Sequence, residues 1–80
     1  MPYQARIDTP QSLGIALQQA RMASGMTQRD LAQQLGTTQK YIWELEQGKE
    51  SVAVTRLFEA LRATGATVTV TIPEGDDGRG

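Results

Sequence analysis

Gln39, Lys40, Trp43, Glu44 and Gln47 fall at helical spacings on one stretch of chain, and Gln28, Thr37 and Thr38 come shortly before them. A glutamine amide pairs bidentately with adenine N6 and N7, and a lysine ammonium suits guanine O6 and N7. A threonine methyl meets the methyl of thymine, and a glutamate accepts from cytosine N4. The same residues are poorly suited to catalysis. The chain has no histidine and no cysteine, so the commonest general base and the commonest metal ligands are missing. The carboxylates are scattered, and no nucleophile–base pair or ligand set assembles from them. The expectation is a binding protein and not an enzyme, with no catalytic residue, no metal and no cofactor.

The elements that must hold these side chains run from Thr27 to Gly48, TQRDLAQQLGTTQKYIWELEQG. Thr27 caps a first helix and Asp30 stands three residues on, close to a capping box. Leu31, Ala32 and Leu35 supply its apolar face. Gly36 stands where a left-handed C-cap is expected. Thr37 and Thr38 offer hydroxyl caps to a second helix, roughly Gln39 to Gln47. Ile42 and Leu45 make the inner stripe of that helix, and Gly48 ends it. Small Ala32 suits the point where two helices cross. This spacing is that of a helix-turn-helix, whose second helix carries polar side chains on a capped N-terminus. Trp43 lies about 100° around the helix from Ile42 and is not expected to be fully buried. The residues leave open whether it packs on a sugar-phosphate backbone, touches a base edge, meets a protein partner or covers the junction with a later helix. Glu44 disfavours a nearby phosphate, so it suits either a negative selector or a cytosine contact.

Around this unit the chain reads simply. Residues 1–8 carry alternating Tyr3, Ala5 and Ile7, as an extended segment or a mobile terminus. Thr9 or Asp8 caps a first helix with Pro10 at its favoured first position. Leu13, Ala16, Leu17 and Ala20 form its stripe, and Gly25 ends it. Arg21 lies near that stripe and needs a partner. Glu46 is the candidate, and from spacing alone a salt bridge and two solvated side chains are equally open. Lys49 and Glu50 belong to a loop. Ser51 caps a fourth helix, where Val54, Leu57, Phe58 and Leu61 face the core and Gly65 closes. Residues 66–72, ATVTVTI, alternate strictly and read as a strand with Val68, Val70 and Ile72 on one face. A lone strand cannot satisfy its backbone. The simplest partner is the same strand of a second copy across a two-fold axis. Pairing with residues 3–7 of its own chain is the alternative, and both can coexist. Pro73 stops the strand, and residues 73–80 read as a charged, disordered tail.

Eighty residues make one small domain with a modest core. The net charge is −1, and Glu74, Asp76, Asp77 and Arg79 contribute −2, so the rest carries +1. Binding to a nucleic acid therefore rests on a local face and on helix N-termini rather than on bulk charge. No apolar run reaches ~18 residues, so no membrane span or membrane partner is expected, and the start carries no signal-peptide pattern. A cytoplasmic, nucleoid-associated location is the simplest reading.

These residues carry a resemblance. From about Leu13 to Leu61 the chain resembles the Cro/CI-type (XRE) helix-turn-helix repressors, through Arg21, Gly25, Thr27-Gln28, Leu31-Ala32, Gly36, Ile42 and Glu46-Gln47-Gly48. The resemblance implies an all-α, four-helix, lambda-repressor-like domain over 9–65. It also implies that Gln28 clamps a phosphate, and that Thr38, Gln39, Lys40 and the Trp43/Glu44 region face the major groove. Arg21 paired with Glu46 is a recurrent bridge of that family. The candidate DNA-binding set is thus Thr27, Gln28, Thr37, Thr38, Gln39, Lys40, Trp43, Glu44 and Gln47. A narrower resemblance covers nearly the whole chain. The leader with Pro10 and the valine-threonine strand directly after helix four are similar to HipB-type antitoxins. That likeness implies a homodimer joined through strand 66–72 by Val68, Val70 and Ile72. It also implies a palindromic operator, autoregulation of a toxin–antitoxin operon and a HipA-type kinase toxin as partner. A protein-interaction module that mainly neutralises such a toxin, or a lone phage or bacterial regulator, is the alternative. Trp43 departs from the small polar residue common at its position.

Overall fold

The computed structural model describes residues 3–49 and 51–74. Four helices are framed by two short strands: β1 (Tyr3–Ile7), α1 (Pro10–Ala23), α2 (Gln28–Leu35), α3 (Gln39–Glu46), α4 (Val52–Ala63) and β2 (Val68–Ile72). Local chemistry accounts for each helix start. The side chains of Thr9, Thr27, Thr38 and Ser51 accept from the backbone N–H three residues on, each satisfying a donor that the helix itself cannot. Thr9 takes the cap of α1, and Ser12 returns the bond to the Thr9 N–H at 3.0 Å. Asp30 does the same for Thr27 at 2.9 Å, which completes the expected capping box. Gly36 stops α2 at φ +69, a left-handed turn that a residue without Cβ enters without strain.

The strands pair antiparallel, with Tyr3 opposite Ile72, Ala5 opposite Val70 and Ile7 opposite Val68. This corrects the expectation that β2 needs a second copy to find a partner. The alternation of Tyr3, Ala5 and Ile7 matches that of Val68, Val70 and Ile72, so the two apolar sets share one face. One edge of β2 is satisfied within its own chain, and the outer edge is the one left to another strand. α1 packs against both strands, α3 and α4. Ile7, Ala16, Phe58 and Ile72 form the buried core, with Val54, Leu61, Val68 and Val70 packed around them. Val68, Val70 and Ile72 therefore line their own chain's core. Ala32 and Ile42 are the buried apolar residues of α2 and α3.

Four expected core residues are not buried. Leu13, Leu35, Leu45 and Leu57 all stand at the surface. Leu35 is the last residue of α2, beyond the crossing with α3. Leu45 opens onto an apolar groove shared with Leu13, Leu17 and Val54. On α4, Phe58 enters the core and its neighbour Leu57 turns outward, because one helix face is all that reaches α1 and the sheet. Of the expected disordered tail, residues 75–80 lie outside the described residues, as does Glu50.

Candidate nucleic-acid interface

The α2–turn–α3 unit is held to α1 by one buried ionic cluster. Arg21 Nε donates to Glu46 Oε2 at 2.5 Å and Arg21 Nη2 to Glu46 Oε1 at 3.2 Å. Arg21 Nη1 donates to the Met26 carbonyl at 2.8 Å, in the link between α1 and α2. Gln28 Nε2 donates to Glu46 Oε1 at 2.9 Å. The carboxylate is almost wholly buried, at 1% side-chain exposure, and no buried side-chain polar atom among the described residues lacks a partner. The salt bridge that spacing left open is therefore formed. Burial pushes the Glu46 carboxyl up, but the Arg21 and Gln28 hydrogen bonds and the Arg21 charge together hold it below its ordinary value.

A pH dependence follows with a defined sign. A depressed carboxyl contributes stability that is complete above its ordinary value of 4.5 and lost as pH falls through the lower folded value. Asp30, lowered by its backbone and side-chain bonds to Thr27, adds in the same direction below 3.8. Thermal unfolding should thus be level between about pH 7 and 5 and should fall progressively below about 4.5. A wild-type melting temperature as high at pH 3 as at pH 7 would contradict it.

The outer face of α3 is laid out as its spacing suggests. Gln39, Lys40, Trp43 and Gln47 are exposed, and Glu44 is half-buried. Gln28, Gln39, Lys40 and Trp43 line one shallow concavity of ≈ 270 Å³ between the start of α2 and the outer face of α3. Trp43 is 51% exposed and belongs to this concavity. The groove between α1, the end of α3 and α4 is lined by other residues, Leu45, Gly48 and Val54 among them. Glu44 turns away to Lys49, its Oε2 accepting from Nζ at 3.2 Å, so its charge is locally balanced. Thr27 and Thr38 use their hydroxyl oxygens as caps, which leaves their hydrogens to donate outward. Thr37 is half-buried in the turn, its N–H donating to the Ala32 carbonyl. Gln28, the expected phosphate clamp, stands at the start of α2 with one amide N–H anchored on Glu46, and the second N–H and the carbonyl oxygen are what it offers to the concavity.

Two contacts were missed by spacing arguments. A Cβ on Gly14 would stand 2.5 Å from the Glu46 carbonyl oxygen and 2.6 Å from that of Leu45. A Cβ on Gly48, whose φ is +74, would stand 2.5 Å from Gln11 Cα. The end of α3 thus lies directly on the first half of α1. A glycine inside a helical pattern is the signal that marks such an approach.

Among the described residues no group of His, Cys, Asp or Glu is placed to hold a metal, and no helix is long and apolar enough to cross a membrane. A family model described as a helix-turn-helix domain matches residues 12–70, most of the chain. The chain belongs to this helix-turn-helix family, of the Cro/CI-like kind, whose domain is that of a DNA-binding regulator. No curated protein and no solved structure matches it.

Proposed function

We propose that the protein is a sequence-specific transcriptional repressor that binds a palindromic operator as a homodimer in the cytoplasm and carries out no catalysis. The observation that supports it best is the shared concavity of Gln28, Gln39, Lys40 and Trp43 on the exposed face of α3. The reading helix is anchored by the buried Arg21–Glu46–Gln28 cluster, so base-reading groups are presented on a rigid frame. A dimer places two α3 helices on half-sites about one helical turn apart and excludes polymerase by occupancy. The outer edge of β2, which β1 does not pair, and the exposed Val52 and Leu57 of α4 are where this reading would seat a second copy. The finer role, antitoxin of a HipBA-like operon that represses its own promoter and neutralises a HipA-type kinase, rests on the resemblance of strand 66–72 and the Pro10 leader.

Anisotropy with DNA from upstream of its own gene tests this reading across a salt series. Affinity should fall with a slope of about −0.9 per phosphate neutralised. Gln39→Ala should weaken the cognate site by about 1–3 kcal/mol and relax one base position per half-site. Equal affinity of variant and wild type would remove Gln39 from the reading set. Binding no better than to random DNA would overturn the repressor. Co-purification with the product of a neighbouring kinase-like gene is the corresponding test of the antitoxin role.

A further inference from the structure

We propose that Trp43 reads a pyrimidine 5-methyl group in the major groove, which makes thymine at one position of each half-site a requirement set by this side chain. The inference rests on the DNA-binding reading above. Trp43 is 51% exposed, yet it stands in a recess whose other walls, Gln28, Gln39 and Lys40, all end in hydrogen-bonding groups. An indole has one donor and no acceptor, so its ring faces cannot read the hydrogen-bond pattern of a base edge. Its neighbours can. The apolar feature that bases present in the major groove is the thymine methyl. An apolar wall beside amide and ammonium groups therefore matches a methyl flanked by the donors and acceptors of adjacent bases.

Three details keep the recess available for that contact. Gln28 is held by Glu46 at 2.9 Å, so the wall facing the indole is anchored. Glu44 is drawn to Lys49 at 3.2 Å. Its carboxylate, adjacent in sequence to the indole, is thus engaged elsewhere. Trp43 lies one turn after Gln39 on the same face, so the two side chains address neighbouring base pairs.

The test begins with selection of binding sites from a random duplex library by the wild-type protein. Each thymine of the enriched site is then replaced in turn by deoxyuridine, which removes the methyl and keeps every hydrogen-bonding group. The wild type should bind about four-fold more weakly for each critical methyl removed, at one thymine per half-site. Trp43→Ala should bind thymine and uracil at that position equally, with an unchanged salt slope, because its phosphate contacts are intact. Trp43→Phe, which keeps an apolar ring, should retain part of the discrimination. Uracil tolerated at every position, a site without thymine, or an undiminished uracil penalty in Trp43→Ala would each overturn the proposal. The last two outcomes would assign the indole to sugar-phosphate packing or to a protein partner. Failure to enrich any site would overturn the DNA-binding reading itself, and that result precedes the uracil series.

Discussion

Replacing Glu46 with alanine should lower the unfolding free energy by about 3–5 kcal/mol at neutral pH. The variant leaves the Arg21 guanidinium at 10% side-chain exposure with its carboxylate partner removed. It also strips Gln28 Nε2 of its acceptor. A buried charge without a partner costs more than the intact pair contributes, because the desolvation penalty persists when the attraction is gone. A domain of this length has about 4–12 kcal/mol of stability in all, so the variant should lie near the edge of folding at 37 °C. Urea unfolding at pH 7 measures the loss. A companion variant, Arg21→Met with Glu46→Leu, should recover part of it, since no buried charge is then left unpaired, while Gln28 Nε2 and the Met26 carbonyl still lose their partners. A loss below about 1 kcal/mol in the single variant would mean that the pair behaves as a solvated one.

Gly14→Ala should cost about 3 kcal/mol, or roughly 15 °C in melting temperature for a domain of this size. Alanine ordinarily favours a helix interior over glycine by about 1 kcal/mol, so propensity alone predicts the opposite sign. The packing term decides it. The added methyl would meet the carbonyl oxygens of Glu46 and Leu45 at 2.5 and 2.6 Å. Both obstacles are backbone, so no rotamer change relieves them. Relief requires α1 and the end of α3 to separate by roughly 1 Å, toward ordinary van der Waals distance. That shift also loosens the Arg21–Glu46 bonds, which span the same pair of helices. The effects of Gly14→Ala and Glu46→Ala should therefore combine less than additively. A variant as stable as the wild type would show that the two helices slide past each other at little cost.

Most of the helix-turn-helix was legible in the residues. Thr27, Gly36 and Thr38 act through bonds that reach three or four positions, so the chain carries that information locally. The strict alternation of residues 66–72 marked β2 for the same reason. The family bridge from Arg21 to Glu46 could be named because charge near an apolar stripe calls for a partner. Burial was less legible. Leu35, Leu45 and Leu57 share helix periodicity with Ile42 and Phe58, and periodicity identifies a face without stating what covers it.

The candidate site divides in the same way. Composition excluded the commonest catalytic and metal-binding side chains, and spacing placed Gln39, Lys40, Trp43 and Gln47 on one outer helix face. Tertiary structure brought Gln28 to the far wall of that recess, turned its amide onto Glu46, and drew Glu44 aside to Lys49. By itself the sequence determined where the helices begin and end, which strand forms, and which side chains carry recognition chemistry, because capping, turn geometry and periodicity are short-range. Only the tertiary structure decided that β2 pairs with β1, that Gly14 lies against the end of α3, and which leucines stay in water. Those outcomes depend on contacts between residues more than thirty positions apart, whose geometry no local pattern encodes.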